Sequence, residues 1–213
     1  MQNVLADLAI EHEAALILTM RIARALDRPD EESEALLVRI GTAVGKYWIC
    51  KRTPGHAYEA MECLGGSGVM EDSIMPRLFR ESPINAIWEG SGNVQCLDVL
   101  RAMRRNKGSL EVFLGELEQA RGADSRLDRF LDSLGEELRN QEGIEFRARH
   151  VVGMMALAFE GSLLVRFGAS AVADAFCASR LAVDRTGWLY GGLPPGTDCE
   201  SIIERATPAA SRL

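Results

Sequence analysis

Apolar positions recur at helical spacing along almost the whole chain. Leu8, His12, Ala15, Leu16, Thr19, Ile22, Ala23 and Leu26 fall on one face at i, i+4, i+7 and i+8, the repeat of an amphipathic helix. The spacing predicts a first helix over 3–27, stopped at Arg28-Pro29-Asp30 because proline cannot continue a helix interior. Glu31, Glu32 and Glu34 suit the positive end of a second helix, whose apolar positions are Leu37, Ile40, Val44, Tyr47 and Trp48. Pro54-Gly55 is expected to kink or interrupt it before the pattern resumes with Ala57, Ala60, Met61 and Leu64.

The four residues Gly65-Gly66-Ser67-Gly68 then read as a helix stop. Residues 73–81 fit a short helix. Residues 91–106 fit a clearer one, with Val94, Leu97, Leu100 and Met103 near one stripe and Ser91 as N-cap. Helical text continues through Val112, Phe113 and Leu117, through Leu127, Phe130, Leu131, Leu134 and Leu138, and through a small-residue and apolar run from Val151 to Leu181. The stretch GGLPPGTD (191–198) is a loop. No alternating strand is visible, so the predicted fold class is all-α, a helical bundle. A boundary near Lys107-Gly108 divides it into 1–107 and a more acidic 108–213.

Composition narrows the function classes. With 213 residues and 47% apolar side chains, a core can form without disulfide or metal staples, and disorder is excluded. No continuous apolar run approaches the ~20 residues that cross a bilayer, so no membrane partner is expected. The start, MQNVLADLAIEHEAALIL, carries Asp7, Glu11 and Glu13 and lacks a basic n-region, unlike a secretory signal. A net charge of −7 argues against a polyanion as the default partner. Cys50, Cys63, Cys96, Cys177 and Cys199 form no CxxC or Cys/His cluster, and His12, His56 and His150 are far apart. They read as buried or idle thiols in a reducing, cytoplasmic compartment, with no metal motif.

The chemistry concentrates in 58–101. The glycine turn lets a backbone approach a ligand closely. Glu89 follows Ala86-Ile87-Trp88, and a carboxylate pressed on an indole would be desolvated, raising its pKa towards that of a working base. Gly90-Ser91-Gly92-Asn93 opens a helix, whose free N–H groups suit an anionic or carbonyl-bearing ligand. Each feature alone has a plainer reading: a helix C-cap, a surface glutamate, a routine capping motif. Their joint order is what singles them out.

Leu64-Gly65-Gly66-Ser67-Gly68, Leu78-Phe79-Arg80 and Trp88-Glu89-Gly90-Ser91 follow each other as in the C-terminal helical domain of the acyl-CoA dehydrogenase flavoproteins, which the chain resembles. The flanks MPRLFRESPIN and GSGNVQCLDVLR resemble the AidB-like, alkylation-response branch, which the segment after residue 107 also fits. The resemblance implies FAD as cofactor and an acyl-CoA thioester as substrate. It places Glu89 as the base that removes the α-proton while the β-hydrogen leaves as hydride to flavin. Gly65, Gly66 and Gly68 match the turn that contacts FAD, often that of a neighbouring subunit. Ser91 and Asn93 match positions lining the flavin's adenine or pyrophosphate region. It also implies a homo-oligomer, dimer or tetramer. The family's N-terminal helical and middle β-domains, and its Arg-x-x-x-Phe-Gly motif, are missing, so the chain is expected to be a C-terminal piece that holds little flavin and little activity alone.

Two further readings stay open. Arg101, Arg104 and Arg105 share a helix face and could meet the phosphates of DNA, although the same arginines suit a solvated helix C-terminus. The small residues between Val152 and Ala178 could serve an assembly domain without chemistry of its own.

Overall fold

The computed structural model describes residues 1–182 and 189–208, and every regular element among them is helical. Helices α1 (Gln2–Leu26) and α2 (Glu32–Cys63) form an antiparallel pair. A 3-10 turn (Gly65–Val69), α3 (Met75–Glu81), a second 3-10 turn (Ser82–Ala86) and α4 (Gly92–Arg105) follow. Then come α5 (Ser109–Glu118), α6 (Ser125–Arg139), α7 (Ala148–Phe167), α8 (Ser170–Phe176) with a π turn (Cys177–Leu181), and α9 (Cys199–Ala206).

The helix extents match the sequence pattern; two of the buried faces do not. On α1 the buried apolar positions are Ala6, Leu8, Ile10, Ala14, Leu18 and Ala25, while Leu16 and Leu26, expected inside, are half or more exposed. The reason is close packing. A Cβ on Gly45 of α2 would stand 2.7 Å from Leu18 Cδ2, so the helices meet through small residues that a count of large hydrophobes overlooks. On α4 the buried set is Cys96, Val99, Leu100 and Ala102; Val94 and Leu97 are exposed. Helix α2 also runs unbroken through Pro54. The proline removes one helix donor, the Thr53 hydroxyl donates to Ile49 O at 2.7 Å beside it, and neighbouring elements hold α2 along its length.

Helix α7 is the hub. It packs on α1, α2, α4, α5, α6 and α8, and every residue from Val151 to Leu164 is buried. By length and composition α7 could cross a membrane, although Glu160 interrupts its apolar run; here most of it is covered by other helices. Buried side chains on both sides of Lys107-Gly108 form one core cluster, from Ala6 to Ile202. An ion network spans the same join. The Arg21 guanidinium bridges Glu34 (2.7 Å) and Glu116 (2.9 Å), and Arg166 also holds Glu116 (2.8 Å). The 189–208 segment returns to α1: Asn3 exchanges two hydrogen bonds with the Leu193 backbone, both 3.1 Å, and Arg205 pairs with Glu13.

Candidate functional site

The segment carrying the candidate chemistry lies along α2. The glycine turn, α3, the Ser82–Ala86 turn and α4 all pack on that helix, and α3 touches both short turns. Gly65 and Gly66 are exposed with open space about them. Gly68 differs: it is buried, and a Cβ there would lie 2.1 Å from Met61 O. Of the three glycines, two leave room for a ligand, and the third is required by the fit of the turn against α2.

Glu89 occupies an unusual backbone. Its φ is 52°, the one positive value at a non-glycine among the described residues, and Gly90 follows at 99°. Left-handed backbone costs an L-residue about 1–2 kcal/mol, so surrounding contacts must hold it. Lys46 Nζ donates to Trp88 O at 2.7 Å and to Gly90 O. Gln95 Nε2 donates to Glu89 O at 2.8 Å. Three consecutive carbonyls are thus turned inward and held from α2 and α4, while the Glu89 side chain faces solvent. The expected burial of that carboxylate by Trp88 is not found: the indole is itself 58% exposed. Within this chain the indole lies beside Glu89 and does not cover it.

The first turn of α4 follows. Ser91 has the extended backbone of an N-cap, but its hydroxyl makes no capping bond. It therefore stands uncommitted at a helix start with free N–H donors. Asn93 is exposed, and its Oδ1 accepts from Arg149 Nε of α7 at 2.6 Å. Tyr47 packs beneath: a Cβ on Gly92 would touch its ring at 3.5 Å. Burial pushes the neighbouring Cys96 thiol up to about 11, so it is a packing group. Around this loop and the glycine turn, Leu64, Met70, Ile74, Ile87, Trp88 and Val94 all expose half or more of their surface. Sequence reasoning missed Lys46, Gln95 and Arg149. Only Lys46 carried a signal, as a cation on a helix between Val44 and Tyr47.

Two of the three candidate DNA-contacting arginines are committed elsewhere. Arg101 pairs with Asp98 at 3.1 Å and Arg104 with Glu145 at 3.0 Å; Arg105 is exposed. Arg80, of the Leu78-Phe79-Arg80 motif, is held bidentately by Glu71, at 2.7 and 3.1 Å.

A second polar cluster, unforeseen from sequence, lies between α1, α2 and α7. Arg52 holds Glu11, and Arg180 reaches Asp7 and Glu11. Glu160 is 2% exposed. Burial and the nearby Glu11 charge push its carboxyl well above the usual range, against the pull of Arg52, Arg180 and the Trp48 indole. A cavity of about 570 Å³ opens beside the cluster, with Tyr47, Arg149 and Tyr190 in its wall.

Residues 1–104 match the family model described as acyl-CoA dehydrogenase, C-terminal domain. AidB of Escherichia coli (strain K12) is 38% identical over 177 residues, covering 83% of this chain and 32% of AidB. Acyl-CoA dehydrogenase family member 11 of Caenorhabditis elegans is 28% identical over 186 residues, covering 76% of this chain and 30% of that protein. The crystal structure of C. elegans ACDH-11 in complex with C11-CoA superposes with a TM-score of 0.72 at 27% identity, over 85% of this chain and 36% of that one. The chain spans about a third of the length of these relatives.

Proposed function

The chain belongs to the acyl-CoA dehydrogenase family through its C-terminal helical domain, with AidB as a relative, and from that premise we propose that it supplies the base-bearing wall of an FAD-dependent α,β-dehydrogenation of an acyl-CoA thioester. The observation that carries this is the clamped Glu89 loop, which projects a carboxylate from an exposed apolar surface beside a helix N-terminus.

The residues present fit a flavin. Gly65 and Gly66 offer a backbone that a planar ring can approach without meeting a side chain. Ser91 has an uncommitted hydroxyl, and Asn93 keeps its amide donors free because only its Oδ1 is engaged. The exposed Ile87, Trp88 and Val94 would be covered in the loaded protein. Covering them removes water from Glu89 as well, and a desolvated carboxylate is a stronger base. Glu89 then takes the α-proton of the thioester, and the Cα–H electron pair becomes the new Cα=Cβ bond. A bound flavin supplies the acceptor for the hydride that leaves the β-carbon. The N–H groups opening α4 orient an anionic group, Ser91 and Asn93 hold it, and the apolar rim excludes water.

The same proposal includes an acyl-CoA partner, a homo-oligomer and a cytoplasmic setting. In such an oligomer the glycine turn would contact the flavin of a neighbouring subunit. DNA has no part in the proposal, since Arg101 and Arg104 are paired with carboxylates.

The test is Glu89→Gln in the full-length, flavin-loaded protein with C11-CoA as substrate. Turnover should fall by about 10²–10⁴-fold, the span of a general base, with flavin retained. Unchanged turnover would remove Glu89 from the chemistry.

A further inference from the structure

We infer that Lys46 is a positioning residue for Glu89: its ammonium, by holding the carbonyls of Trp88 and Gly90, keeps the base in the left-handed conformation from which it projects. The inference rests on the assignment of Glu89 as base, and it adds a residue on a different helix, 43 positions away in sequence.

A lysine on a helix surface normally reaches water or a carboxylate. Lys46 differs: it is half-buried, it makes no salt bridge among the described residues, and its two hydrogen bonds go to backbone carbonyls on either side of one residue. An ammonium is a compact charge with three donors, well suited to two converging carbonyl dipoles. Hydrogen bonds to a charged donor are about twice as strong as neutral ones, enough to offset the strain of a left-handed backbone at Glu89.

The geometry leaves few other ways to hold the loop. Gln95 Nε2 caps the Glu89 carbonyl from the other side and also reaches Gly90 O at 3.4 Å. Gly90 suits this loop because its φ of 99° is a backbone that L side chains rarely adopt, and a Cβ there would push aside that same Nε2, 2.6 Å away. Without the ammonium, three carbonyls crowd inward around one amide donor, and the loop is free to turn Glu89 to an ordinary right-handed backbone. A backbone flip at Glu89 re-aims its carboxylate, and small misplacements at a reacting centre are expensive.

The test uses full-length, flavin-loaded protein carrying Lys46→Met, Lys46→Arg or Lys46→Gln, and reads two quantities. The first is turnover of C11-CoA. Lys46→Met should lower kcat by about 10²-fold with KM within roughly threefold, because the lost element is geometry of the base and not substrate contact. Lys46→Arg, which keeps paired N–H donors, should recover at least about tenfold of that loss. The second is amide hydrogen exchange over 84–95, which needs no substrate. Lys46→Met should speed exchange in this loop by at least about tenfold and leave α7 unchanged. Unchanged kcat together with unchanged exchange would overturn the inference. If Lys46→Met does not fold, Lys46→Gln decides, since its shorter, uncharged side chain also releases the Trp88 and Gly90 carbonyls; unchanged exchange there overturns the inference equally. If wild-type protein fails to oxidise C11-CoA, or Glu89→Gln retains turnover, the base assignment fails, and the exchange measurement still answers whether Lys46 holds the loop.

Discussion

Arg149 of α7 donates through Nε to Asn93 Oδ1 at 2.6 Å, so a side chain from the second half of the sequence holds the first turn of α4. Replacing Arg149 with Met should cost about 1 kcal/mol, the scale of one partly exposed charge-assisted bond, and lower the apparent flavin affinity. Denaturant midpoints and flavin fluorescence read the two effects. An unchanged affinity would show that Asn93 orientation does not matter to the ligand.

The glycine turn separates packing from binding within four residues. Gly68→Ala places a methyl 2.1 Å from Met61 O and should destabilise by about 1–3 kcal/mol. Gly66→Ala meets nothing within 4 Å and should change stability by less than about 0.5 kcal/mol while lowering flavin occupancy. Equal occupancy in Gly66→Ala and wild type would place the flavin elsewhere.

Glu116 joins α5 to α1 and α7 through Arg21 and Arg166. Removing one member of a buried charge network strands the others, so Glu116→Ala should cost about 3–5 kcal/mol, read as a fall in the unfolding midpoint. Burial raises the Glu116 carboxyl pKa, but hydrogen bonds from the two arginines outweigh burial and hold it below the usual range. A depressed folded pKa gives stability that is present above the unfolded value and lost as the pH falls below it. Acid unfolding should therefore begin just under the ordinary glutamate range and be blunted in the mutant.

Glu160 has the opposite sign. Burial, with Glu11 close by, holds its carboxyl well above the usual range, so the folded state keeps a proton that the unfolded chain releases. That proton makes wild-type stability decline as the pH rises from the ordinary glutamate range towards the raised value. Glu160→Gln, neutral throughout, should remove this decline. Melting temperatures of both proteins from pH 4 to pH 8 decide it, and parallel curves would mean that Glu160 is charged when folded.

Much of this was legible from sequence for identifiable reasons. Helix extents follow from periodicity and from punctuation at Pro29 and Gly65 to Gly68. Glu89, Ser91 and Asn93 do come together at one helix start. The buried face of α1 was hidden because alanines and a facing glycine carry it, and close approach is a property of two helices at once. The clamp was hidden because Lys46 acts on carbonyls, which have no side-chain signature, and Arg149 lies 56 positions from its partner. The ion network at Glu116 joins residues up to 95 positions apart, beyond the reach of any local pattern.

The hub position of α7 has a consequence for how the chain can be cut. Lys107 is exposed beside Gly108, so a protease can enter at the join between the two halves. Yet α7 is wrapped by α1, α2 and α4 from one half and by α5, α6 and α8 from the other. A nick there would divide the polypeptide without dividing the particle: two bands on a denaturing gel, one peak on a sizing column.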